Sequence, residues 1–219
     1  MERTIDSQLE DLKKLTLEMG GLVEKALEAT TTGLLKKELS LLKEVHLIED
    51  SINDLQIKID NACLQVLAKQ GPVAKDLRLI LSIIKINTDL ERMGDQCVNI
   101  AHLSRELIER RFQNSLQDLE LMFKCSREMV KESLDSFGKM DNERATKVLT
   151  MDDQVDAFKK KINNHSIELM KTDIAHLQDH LDFILIARNL ERLGDHATNI
   201  AEDVIFASSG KDVRHGSTD

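Results

Sequence analysis

Residues 90–101 read Leu90-Glu91-Arg92-Met93-Gly94-Asp95-Gln96-Cys97-Val98-Asn99-Ile100-Ala101, and residues 190–201 read Leu190-Glu191-Arg192-Leu193-Gly194-Asp195-His196-Ala197-Thr198-Asn199-Ile200-Ala201. Eight of the twelve positions are identical at an offset of 100, so the chain carries two copies of one unit. A weaker match upstream, at an offset of 103, sets Val45, Ile48, Ile52, Leu55, Ile59, Ala62 and Val66 against Val148, Met151, Val155, Phe158, Ile162, His165 and Leu169. Both sets recur every three or four residues, the stripe of an amphipathic helix. His165, standing where the first copy has Ala62, is expected to be a buried, hydrogen-bonded structural histidine.

Composition agrees with an all-α fold. Nine Gly, one Pro, and no Trp or Tyr leave too few turn formers and strand formers for an all-β chain. Hydrophobic residues at 41% suffice for a core, and 32% charged residues suit the solvated faces of long helices. The punctuation gives three helices per copy. The first ends near Gly33 to Ser40, and the second runs from about Leu41 to Lys69. Gly71 suits a helix C-terminus and Pro72 the first turn of the third helix, which continues to about Arg110. The second copy starts after Asn114 or Ser115 as a polar cap, and breaks near Gly138 to Asp141 and near Thr172-Asp173. Helices near thirty residues joined by short turns are antiparallel neighbours. The expected architecture is six long helices in two tandem three-helix bundles, residues 1–111 and 112–210, with a flexible polar tail over 211–219.

Thirty basic against 39 acidic side chains give a net charge of −9, which disfavours nucleic acid and anionic lipid as partners. The longest apolar runs, 77–86 and 183–187, are too short or interrupted to span a bilayer, and the opening residues carry no signal-peptide pattern. A cytoplasmic protein without direct membrane insertion is expected. Cys63, Cys97 and Cys125 are odd in number and form no C-x-x-C pair, so they read as reduced core thiols. His176, His180 and His196 are irregularly spaced on the last hairpin and read as solvent or boundary residues.

The repeated motif carries the chemistry. Glu91 and Asp95, spaced i, i+4, share one helix face, as do Glu191 and Asp195. Like charges one turn apart are mildly destabilising, so the arrangement asks for a cation. Asn99 follows in the first copy, and Asn199 and Asp203 in the second. In an antiparallel hairpin, residues equidistant from the turn lie level. Asn53 with Glu91 and Glu49 with Asp95 share the midpoint 72, while Asp156 with Glu191 and Asp152 with Asp195 share about 173.5. Each level lies roughly 30 Å from its turn at about 1.5 Å per residue. Four carboxylates in the second copy, and three with Asn53 in the first, make oxygen-rich clusters suited to hard cations or ferric iron. The other reading is a solvated face whose acids pair with Arg92, Arg192 or nearby Lys. Gly94 and Gly194, each costing about 1 kcal/mol of helix propensity against Ala, point to close helix approach at that level. No Glu-x-x-His, His-Glu-x-x-His, Gly-x-Ser-x-Gly, Walker A or Gly-x-Gly-x-x-Gly sequence occurs.

Gln70 to Arg78 (QGPVAKDLR), Asp89 to Ala101 (DLERMGDQCVNIA) and Asn189 to Asp203 (NLERLGDHATNIAED) resemble the PhoU family, and the duplicated plan extends the resemblance over about residues 1–210. The resemblance implies two three-helix PhoU-like bundles and a non-enzymatic negative regulator of phosphate uptake. Such a regulator acts as an adaptor between the phosphate ABC transporter and the sensor histidine kinase of the phosphate regulon, and family members are commonly homodimers. It also implies metal clusters at the family's E(D)-x-x-x-D motifs, which map here to Glu91/Asp95, Glu191/Asp195, Asp152/Asp156 and Glu49/Asn53. The last departs from the pattern, since Asn is a neutral and weaker ligand. The expected cofactors are therefore metal ions, iron or zinc first and magnesium or manganese as alternatives, with no organic cofactor. The competing reading from another class is a carboxylate-rich metal-binding bundle with an oxidase or storage role, against which the missing Glu-x-x-His motifs count.

Overall fold

The structure, a computed structural model, describes residues 4–113 and 116–213. Six α-helices and no strands occur among these residues: α1 (Thr4–Leu35), α2 (Leu39–Gln70), α3 (Lys75–Glu109), α4 (Gln117–Lys139), α5 (Asn142–Thr172) and α6 (Leu177–Ser209), with a 3₁₀ turn at Ile174–His176 before α6. The all-α reading and the six-helix plan hold. Helices α1, α2 and α3 pack on one another as one bundle and α4, α5 and α6 as the other. The bundles join mainly along α3 and α6, with α1 also touching α4.

The links follow the chemistry of the residues in them. Gly71 closes α2 in the left-handed conformation at φ 54°. Pro72 lies in the link to α3 and not in its first helical turn, because α3 starts only at Lys75. At the α4–α5 break the left-handed residue is Met140, not Gly138, which stays helical. Asp141 then caps α5, its carboxylate accepting from the backbone N–H groups of Glu143 at 3.0 Å and Arg144 at 3.2 Å. Helix α4 follows Leu116 with no side-chain cap. The expected caps Asn114 and Ser115 lie outside the described residues, as do residues 214–219 of the expected tail; residues 211–213 are non-helical.

The predicted stripe of α2 is buried at Val45, Ile48, Ile52, Leu55, Ile59 and Val66, and that of α5 at Val148, Met151, Val155 and Ile162. His165 is a correction: it is exposed, and Ser166 takes the buried place. At offset 103 the buried counterpart of Ser166 is Cys63, not the half-buried Ala62, so the inward face at this level lies one residue later than the periodicity predicts. His180 is the second correction. It is only 1% exposed, because the turn into α6 tucks it beside Phe183, although His176 is exposed and His196 sits at the boundary as expected. Cys63, Cys97 and Cys125 are free and buried, and burial pushes the thiols of Cys63 and Cys97 up to about 12.

Polar contacts set the register of the antiparallel α3–α6 seam. Ser82 Oγ donates to the Asp203 carbonyl at 2.9 Å, and Lys85 Nζ meets the Asp203 carboxylate at 2.9 Å. Asp89 Oδ1 accepts from Asn199 at 3.1 Å and lies 2.8 Å from His196 Nδ1. At the far end Arg110 binds Asp179 at 2.7 Å and also Asp182, both carboxylates being buried.

Candidate functional site

Two carboxylate clusters form where the hairpin geometry places them. In the first bundle Glu49 and Asn53 of α2 face Glu91 and Asp95 of α3. A Cβ on Gly94 would stand 3.2 Å from Ile52 Cδ1 and 3.8 Å from Glu49 Cγ, so the missing side chain is what lets α2 approach at this level. Arg92 spans the acidic pair on its own helix, with Nε 3.4 Å from Glu91 Oε2 and Nη1 3.2 Å from Asp95 Oδ2. Asn53 donates its amide to Glu49 Oε1. Burial raises the Glu91 carboxyl above the usual range; Asp95 and Glu49 add to the rise and Arg92 opposes it.

In the second bundle Asp152 and Asp156 of α5 face Glu191 and Asp195 of α6. A Cβ on Gly194 would lie 3.5 Å from Asp152 Oδ1, an ordinary contact, so the approach is looser here. The cation is Lys159 of α5, whose Nζ donates to Glu191 Oε1 at 2.7 Å. That bond raises Lys159 above the ordinary ammonium value. Burial raises Asp152 and Asp195 first. Asp195, Asp156, Asp153 and Glu191 raise Asp152 further, and Glu191 and Asp156 do the same to Asp195.

Each cluster therefore keeps unbalanced negative charge, three carboxylates against one guanidinium and four against one ammonium. All seven carboxylates singled out in the sequence lie in these two groups. The donor set is hard oxygen and fits a hard cation in charge and chemistry. As the side chains stand, no group of three or more His, Cys, Asp or Glu among the described residues converges into a metal-holding sphere. Asn199 and Asp203, which continue the i, i+4 series, turn instead to Asp89 and Lys85 on α3. Every fourth residue drifts about 40° around a helix, which carries them off the cluster's face. The sequence reading also missed the seam itself, meaning Asp89, Asp179, Asp182 and their partners. Its signal was present as acidic residues on the flank of α3 and α6 opposite the motif.

A family model, the PhoU domain, matches residues 16–104 and 119–204, so both copies are covered. The chain belongs to the PhoU family. A PhoU relative from Pseudomonas aeruginosa, a phosphate-specific transport system accessory protein PhoU homolog, is 36% identical over 98% of this chain and 89% of its own length. The phosphate-specific transport system accessory protein PhoU of Escherichia coli is 31% identical over 96% of this chain and 87% of its own. The crystal structure of PhoU from Pseudomonas aeruginosa superposes with a TM-score of 0.92 at 35% identity, covering 95% of this chain and all of that one. The phosphate transport system regulatory protein PhoU from Streptococcus pneumoniae gives 0.88 at 28% identity, covering 96% of this chain and 99% of that one. The PhoU resemblance read from the repeated motifs is thus established across both bundles. No helix among the described residues is long and apolar enough to cross a membrane.

Proposed function

We propose that this PhoU protein is a non-enzymatic negative regulator of phosphate uptake and of phosphate-regulon signalling. In this reading it works in the cytoplasm as an adaptor between a phosphate ABC transporter and a sensor histidine kinase, as a homodimer. The observation that carries the reading is the near full-length match, through both repeats, to relatives named as accessory or regulatory proteins of phosphate transport. A protein made of two packed bundles with charged helix faces suits docking on protein partners. The test is deletion in phosphate-replete cells, where alkaline phosphatase and phosphate uptake should both rise. Unchanged output overturns the regulator. Pull-down of transporter and kinase subunits at high and low phosphate tests the adaptor separately.

The two carboxylate clusters are proposed to take metal cations through oxygen ligands, iron or zinc first and magnesium or manganese as alternatives, in support of this role. Asp152, Asp156, Glu191 and Asp195 would hold the ion in the second bundle and Glu49, Glu91 and Asp95 in the first. The uncompensated charge around Asp152 and Asp195 favours this reading over a plain solvated face. A bound cation would supply charge neutralisation, locking α5 against α6 or α2 against α3. The second reading, a metal oxidase or store, predicts oxygen consumption by the iron-loaded protein.

A further inference from the structure

The α3–α6 seam carries two grooves related by the internal duplication, and their charges are opposite. One, of about 330 Å³, is lined by Lys85, Thr88, Asp89, Asn199, Glu202 and Asp203. The other, of about 300 Å³, is lined by Asn99, His102, Arg188, Asn189 and Arg192 with Leu103 and Leu185. At the offset of 100, Asp89 becomes Asn189, Glu202 becomes His102, Asp203 becomes Leu103 and Thr88 becomes Arg188. Every carboxylate of the first groove has been replaced in the second; its ammonium is lost as well, Lys85 becoming Leu185, and the guanidiniums of Arg188 and Arg192 stand there instead. This has happened in a chain whose net charge is −9.

The fate of the two motif arginines explains how the second groove keeps its charge. Arg92 is drawn onto Glu91 and Asp95 of its own cluster. In the second bundle Lys159 from α5 serves Glu191, so Arg192 is released to the groove. Neither Arg188 nor Arg192 makes an ion pair among the described residues. Spaced i, i+4, the two guanidiniums repel each other slightly and ask for an anion between them, as the acidic pairs ask for a cation. His102 stands beside them with its Nδ1 3.5 Å from Glu106, which also meets Arg110 at 3.7 Å. Asn99 and Asn189 add neutral amides; Asn189 donates one N–H to the Leu185 carbonyl at 2.7 Å.

We propose that this groove binds inorganic phosphate. Two planar guanidiniums and two amides are the donor set that a tetrahedral oxyanion takes up by charge-assisted hydrogen bonds, each roughly twice as strong as a neutral one. The choice of phosphate among oxyanions rests on the phosphate-transport reading above, whereas the charge pattern stands without it. A site on the seam between the bundles would let phosphate bias how α3 and α6 sit together, since the anion touches side chains of both helices.

The test is titration of the purified full chain with inorganic phosphate at low salt, followed by calorimetry. Saturable binding is expected, weakened about tenfold or more in the double variant Arg188→Gln, Arg192→Gln, with helicity retained because both side chains are exposed. Lys36→Gln with Lys43→Gln makes the same charge change at exposed positions outside the groove and should leave binding unchanged. No saturable binding at millimolar phosphate, or equal loss in both double variants, overturns the site. Sulfate binding as tight as phosphate, or a nucleotide binding tighter, overturns phosphate as its ligand. A chain that binds phosphate while its deletion leaves reporter output unchanged breaks the regulator reading and keeps the site. The reverse outcome breaks the site alone.

Discussion

Asp152 illustrates what the acidic repeats cost the fold. Its carboxyl is raised by burial first and by Asp195, Asp156, Asp153 and Glu191 after it. A raised acid favours the folded state below its unfolded value, and that contribution is lost as pH rises through the folded value. At pH 7 the ionised Asp152 is therefore a net liability. Asp152→Asn should stabilise the protein by roughly 0.5 kcal/mol at pH 7 after solvent screening, measured by urea unfolding. The gain should shrink as pH falls toward the ordinary Asp value of 3.8. The same charge reverses the sign for cation binding. Asp195→Asn should lower metal content after aerobic loading with iron or zinc more than Asp95→Asn does, because Asp95 already shares Arg92 and its cluster has Asn53 in place of a fourth acid. Equal losses would count against a second-bundle preference. The cluster residues were legible because a repeat shows the same spacing twice. His165 and His180 were not. A stripe with steps of three and four does not say which of two adjacent positions faces inward, and a histidine in the first turn of α6 carries no sign in the sequence that it will be buried beside Phe183.

At the scale of helices, adjacent glycines in α1 separate propensity from packing. A Cβ on Gly21 would meet nothing within 4 Å, whereas one on Gly20 would stand 2.5 Å from Leu134 Cδ2 of α4. Gly21→Ala should gain about 1 kcal/mol of helix propensity. Gly20→Ala should lose stability instead, because α1 must move off the other bundle or Leu134 must leave its buried position. Thermal unfolding of the two variants, run side by side, checks the opposite signs. Helix number and the position of each break were readable from Gly, Pro and polar clusters. Which residue takes the left-handed conformation was not. Met140 occupies it at φ 52° although Gly138 lies two residues away, because the following cap at Asp141 fixes where α5 begins. The 3₁₀ turn at Ile174–His176 likewise has no signature in a stretch without Gly or Pro.

For the whole molecule, the sequence implied two bundles but not how they meet. Periodicity marks the face that a helix turns to its own bundle, while the α3–α6 seam is held by polar residues that read as surface. Arg110 is the clearest of these. It is about one-third exposed, yet Asp179 and Asp182 beneath it are 4% and 1% exposed. Arg110→Ala would leave two buried carboxylates without their cation and should cost roughly 3 kcal/mol in denaturant unfolding. Adding Asp182→Asn to that variant should recover part of the loss. The same seam gives α3 and α6 extensive packing on three sides, α3 against α1, α2 and α6, and α6 against α3, α4 and α5, whereas α1 and α4 meet each other across the bundles only over a short contact. That enclosure orders the molecule in time as well as in space. Amide hydrogens in the middle of α3 and α6 can exchange with solvent only when both bundles have opened, so deuterium should reach them last, at rates near those of global unfolding. The outer helices α2 and α5 should exchange earlier, and a single pulse-labelling experiment would show the chain loosening from its flanks toward its centre.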